Sequence, residues 1–121
     1  MAAKEYLQQI RDLDGQINAK LAQLDKLKTM AARASATSST ALLGLAREID
    51  ADIDRYVDIQ REAKRKIDAM PNATYKLLLT LRYINGLTFE QISEEMHYCT
   101  HHIVHKLHPR ALAAFDSTKK R

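Results

Sequence analysis

The sequence predicts an all-α fold: a long N-terminal antiparallel helical hairpin, coiled-coil-like, followed by a C-terminal three-helix helix-turn-helix module. Three observations carry this reading. Glycine and proline are scarce, three and two in 121 residues, so little interrupts the chain. Apolar residues make up 45% of it, without the Val-, Ile- and Thr-rich runs that strands require. Those apolar residues recur at spacings of three and four through two long stretches, and again in shorter blocks after Pro71. The expected division is 1–70 for the hairpin, an oligomerisation or partner-binding segment, and 71–121 for the helix-turn-helix.

The first helix is expected over 3–32. Leu7, Ile10, Leu13, Ile17, Leu21, Leu24, Leu27 and Met30 keep a coiled-coil rhythm. At about 1.5 Å per residue it would be roughly 45 Å long, too long to bury its stripe without a partner. The small hydroxyl residues of Ala34-Ser35-Ala36-Thr37-Ser38-Ser39-Thr40 read as a loop, with Ser39 or Thr40 as a cap. A second helix is expected over about 42–69, with Ile49, Ile53, Tyr56, Ala63, Ile67 and Met70 on a heptad grid. Its acids (Asp50, Asp52, Asp54, Asp58) precede its bases (Arg61, Lys64, Arg65, Lys66), which complements the helix dipole. Aspartates two apart on a helix point in different directions, so they read as solvated surface rather than a metal site. Two long amphipathic helices joined by a short loop most simply pair antiparallel, and leftover apolar surface would recruit a second copy.

Pro71 ends the second helix and Asn72 can cap a third, over about 73–85, closed by a left-handed cap at Asn85-Gly86. Thr88 and Gln91 have the capping-box spacing, so a helix should begin at Phe89. Phe89, Ile92 and Met96 give it an apolar stripe, His97 ends it and Tyr98 supplies an apolar plug. Thr100 can cap the next helix, whose Ile103 and Leu107 face inward. His101, His102, His105 and Lys106 are left outside. The expected helix-turn-helix core is therefore Phe89, Ile92, Met96, Tyr98, Ile103 and Leu107, with the second helix suited to a major groove.

Charge agrees in direction. The formal net charge is +4, divided as 12 Lys+Arg against 11 Asp+Glu over 1–71 and 7 against 4 over 72–121. All five histidines lie between 97 and 108, where phosphates would favour their protonation. The lone Cys99 makes no internal disulfide and suits a reducing cytoplasm. No secretory signal and no membrane span is expected. An enzyme is not expected either: there is no Gly-rich phosphate loop, no nucleophile–base set and no paired carboxylates. His97, His101 and His105 are spaced by four, with Cys99 near, as a zinc or nickel site would need. Further ligands lack an obvious source, so no metal and no cofactor is expected.

The run Leu81-Arg82-Tyr83-Ile84-Asn85-Gly86-Leu87-Thr88-Phe89-Glu90-Gln91-Ile92, then Tyr98 and a basic helix carrying Leu107-His108-Pro109-Arg110-Ala111-Leu112, resembles region four of sigma-70-type factors. It is more closely similar to small phage and prophage transcriptional regulators that carry this module behind a helical segment. The resemblance is strong over 73–113 and loose before it. It implies sequence-specific binding of double-stranded DNA in the cytoplasm of a bacterial host, with contact to RNA polymerase as a further expectation, while the hairpin adds the expectation of a homo-oligomer, a dimer favoured. Carried over by position, His101, His102, His105 and Lys106 would read bases, and Arg82, Thr88, Thr100 and Arg110 would contact phosphates. His97 stands where the family usually has Gly. Pro109 stands where the family continues its helix, so a kink or a restart at Arg110 is expected. The rival readings are a DNA-packaging protein like a small terminase subunit, which would form a ring, and a coiled-coil interaction protein.

Overall fold

The computed structural model describes residues 2–34 and 39–119. It is all-α, with no strand among the described residues. Helices α1 (Ala3–Ala34) and α2 (Ser39–Asp68) form the long pair. Helix α3 (Ala73–Leu79) runs on into a π-helical turn (Thr80–Ile84). Helix α4 (Phe89–Met96) follows. Helix α5 (Thr100–His102) continues through a second π-helical turn (Ile103–Leu107) into α6 (His108–Lys119). Most of the Ser/Thr-rich loop, 35–38, lies outside the described residues, and α2 begins at Ser39 rather than near 42.

The division into compact units differs from the expected boundary at residue 70. One unit is Asp12–Asp58; the other joins Met1–Arg11 to Ile59–Arg121. The reason is where the long helices bury their stripes. Ala3, Leu7 and Ile10 at the start of α1, and Ala63, Ile67 and Met70 at or just past the end of α2, are all buried within the second of these units. That unit's core also holds Leu78, Leu79, Tyr83, Ile92, Ile103, Leu107, Ala111 and Phe115.

The unit Asp12–Asp58 is an antiparallel pair. Lys20 Nζ donates to Asp52 at 2.6 Å and stands 3.6 Å from Glu48, while Leu13, Ile17, Leu45 and Ile49 are buried. Asp52 is therefore not the solvated residue expected, because its inward heptad position sets it against α1. Leu21, Met30, Leu43, Ile53 and Val57 remain exposed.

The other unit is shaped by its helix ends. The Asn72 side chain accepts the Tyr75 N–H at 3.0 Å, starting α3 as its sequence foretold. The chain leaves the first π turn through Gly86, at φ 75°, while Leu87 N–H reaches back to the Leu81 carbonyl. Only glycine takes that backbone region without cost from a Cβ. Thr88 and Gln91 form the expected capping box, with bonds of 3.2 and 2.8 Å. His97 closes α4 in the left-handed region (φ 61°, ψ 32°), where histidine stands in for the usual glycine.

The next helix is capped one residue earlier than expected. Cys99 is the N-cap, with no side-chain capping bond, and Thr100 is the first helical residue. Pro109 does not break this helix. His108 keeps right-handed angles and its N–H bonds to the Ile103 carbonyl. Proline donates no N–H and its ring crowds the carbonyl four residues back. The wider turn directly before it reroutes the ladder and lets the rod continue.

Candidate nucleic-acid interface

Spacing along the last helical rod decides what faces outward. Ile103, Leu107, Ala111 and Phe115 recur every four residues and are buried. This fixes His101, His105, Lys106 and Arg110 on the exposed side. The His101 and His105 rings lie 4.3 Å apart, tilted by 47°. His102 is half-buried, its ring 5.5 Å from Tyr98. The turn is tied to α4 by the Ser93 hydroxyl, which donates to the Tyr98 carbonyl.

Of the expected helix-turn-helix core, Ile92, Ile103 and Leu107 are buried, and Phe89 and Met96 half-buried. Tyr98 is a correction: it is 42% exposed. The left-handed His97 redirects the chain just before Tyr98, and Ile92 and Ile103 are fully buried while Tyr98 is not.

The four expected phosphate contacts do not form one set. Arg110 is exposed and Thr100 half-buried. The Thr88 hydroxyl oxygen already accepts the Gln91 N–H. Arg82 is a second correction. Its Nη1 donates to the Leu87 carbonyl at 3.2 Å and its guanidinium lies over the Phe89 ring, 3.9 Å from the centroid. Arg11 Nη1 donates to the carbonyls of Arg82 and Leu87, at 3.0 and 3.4 Å. Burial, and then the neighbouring Arg11 charge, push the Arg82 pKa down. The two arginines thus satisfy carbonyls freed where the π turn ends, which sequence spacing does not reveal.

His108 parts company with the other histidines. It is buried, its Nε2 hydrogen-bonded to the Tyr83 hydroxyl at 2.7 Å and its ring set edge-on to Phe89. Burial first, then the Arg82 and Lys4 charges, push its pKa down to about 4, so it is neutral at pH 7. The sequence did hold a signal for this. His108 stands four residues from both Val104 and Leu112, between two apolar neighbours on one helical face. Among the described residues no three His, Cys, Asp or Glu side chains gather as a metal site would require. No described helix is long and apolar enough to cross a membrane.

Neither the curated proteins nor the solved structures give a significant match to the chain. Over residues 19–114, from the middle of α1 through α2, the turn and most of the last rod, it matches a family described as "protein of unknown function (DUF1492)". The chain belongs to the DUF1492 family.

Proposed function

We propose that this protein is a sequence-specific DNA-binding transcriptional regulator of phage or prophage type. The rod that begins at Thr100 would enter the major groove. The observation that carries the reading is the set of exposed side chains His101, His105, Lys106 and Arg110 on a rod whose Ile103 and Leu107 are buried, reached by a tight turn from α4. Donor groups on a rigid helix face, presented by a second helix across a short turn, suit base edges and phosphates. The similarity of 73–113 to sigma-70 region four supports the same reading. His101, His105 and Lys106 are the proposed base readers, with His102 beside them, and Arg110 is the proposed phosphate contact. Arg82 is left out of it, since its Nη1 is bonded to the Leu87 carbonyl and its guanidinium lies over Phe89, away from the rod's exposed side chains.

A second copy is the proposed partner of the hairpin, where Leu21, Leu43, Ile53 and Val57 are exposed. A dimer would bind two half-sites about 34 Å apart. Sedimentation of the purified protein, then selection of bound DNA from a random pool, tests both statements. On the selected site, His105→Ala should relax sequence preference at one base pair by about 1–3 kcal/mol. Arg110→Ala should weaken binding to all sequences and lower the salt slope by about 1. If neither substitution changes binding, the rod is not a recognition helix.

A further inference from the structure

A cleft of about 480 Å³ opens in the unit that contains the helix-turn-helix. Its walls are Lys4 and Gln8 of α1, Arg82 and Tyr83 of the first π turn, Phe89 of α4, Val104 of the second π turn, and His108, Pro109 and Leu112 of α6. We propose that this cleft is a binding site for a small organic anion, an aromatic or aliphatic carboxylate with a compact apolar body. The proposal does not rest on DNA binding and can be tested without it.

Three features support that ligand class. The first is size and lining: the volume falls within the usual range for small-molecule sites, and Phe89, Val104, Pro109 and Leu112 make much of the wall apolar. The second is charge. Lys4 and Arg82 line the cleft and no carboxylate does. Arg82 Nε is buried without a hydrogen-bond partner, and Arg11 adds a second positive charge behind it. Tyr83 and Glu90 offset part of this charge, and a ligand carboxylate beside Lys4 and Arg82 would add to that compensation. Burial first, and after it the charges of Arg82 and Lys4, lower the pKa of His108 in the same wall.

The third feature is the backbone. Both π-helical turns contribute to this one cleft, Arg82 and Tyr83 from one and Val104 from the other. Such turns are rare and recur at functional sites because the widened ladder redirects side chains. Here the first turn brings Tyr83 onto His108, and their hydrogen bond fixes a polar pair in the wall at 2.7 Å.

The test uses the full chain and two probes of equal ring size and opposite charge, 2-naphthoate and 2-naphthylmethylammonium, followed by amide chemical shifts. The naphthoate should perturb Lys4, Tyr83, Phe89, Val104 and Leu112 with a dissociation constant of roughly 0.1–1 mM. The ammonium probe should bind at least about tenfold more weakly, since two cations repel it. Lys4 is an exposed side chain, so Lys4→Gln should fold normally and weaken naphthoate about fivefold. Leu112→Trp, which fills the cleft, should abolish the shifts while the helical signal stays. Equal affinity for the two probes, shifts confined to residues outside the cleft, or naphthoate binding unaltered by both substitutions would each overturn the assignment.

Discussion

The two compact units of this chain are stabilised in different ways. In Asp12–Asp58 a heptad stripe buries Leu13, Ile17, Leu45 and Ile49, one lysine bridges the two helices, and several large apolar residues stay exposed. In the unit that joins Met1–Arg11 to Ile59–Arg121, apolar burial is supplemented by side chains reaching distant backbone carbonyls. Arg11 bonds to the carbonyls of Arg82 and Leu87, and Gln60 to that of Ile84. Tyr83 and His108 are joined across 25 residues of sequence. Periodic burial holds helices side by side, whereas bonds to loop carbonyls also fix where each helix must end.

Removing one large buried side chain from each unit should separate the two most strongly. Phe115 is fully buried and stacked 5.9 Å from Tyr6. Phe115→Ala should cost about 3–5 kcal/mol, through lost burial and the cavity left behind. Ile49→Ala in the hairpin should cost less, about 2–3 kcal/mol, because a two-helix layer can close around the gap. Hydrogen exchange would read each loss separately: protection should fall in 78–115 for the first variant and in 13–52 for the second. Uniform loss of protection in both variants would mean that the units unfold together.

Acid should act on one unit more than the other. His108 has its folded pKa pushed down to about 4, against an ordinary value of 6.5. Between those values the unfolded chain binds a proton that the folded chain refuses. The stabilisation is therefore complete above about pH 6.5 and is lost as pH falls toward 4. Its size should be on the order of 2–3 kcal/mol, read from denaturant midpoints at pH 7, 5.5 and 4.5. His108→Gln, which keeps a partner for Tyr83, should flatten that dependence. Glu62, whose pKa is lowered first by its hydrogen bond to Lys66, loses its contribution only below the ordinary carboxylate range, so the two effects separate on the pH axis.

The contrast between the units also marks how far the sequence could be read. The long helices, the Asn72 cap, the Thr88–Gln91 box and the left-handed His97 follow from local spacing, because each is decided within four residues. Two misreadings concern side chains whose partners lie beyond that four-residue window. Arg82 looked like a phosphate contact until Leu87 and Phe89 claimed it, and Asp52 looked solvated until Lys20 met it across the hairpin. Tyr98 failed differently: its exposure depends on the direction that a single left-handed residue gives the chain. The same limit applies at the candidate interface. Four-residue spacing set His105 and Arg110 outward, but it did not by itself take His108 out of the cluster.

The smallest effect isolates backbone from packing with one substitution made in each unit. Gly44 lies within α2 and Gly86 at φ 75°, and an added Cβ would meet no atom within 4 Å at either place. Space is therefore equal and only backbone conformation differs. Gly86→Ala forces an L-residue into the left-handed region and should destabilise by about 1–2 kcal/mol. Gly44→Ala relieves a helix interior of glycine's conformational freedom and should stabilise by about 0.5–1 kcal/mol. Thermal melts of the two variants against the parent chain should move in opposite directions. A gain at Gly86 would show that the bend into α4 does not depend on glycine, and that the arginine-bound carbonyl of Leu87 alone holds the turn.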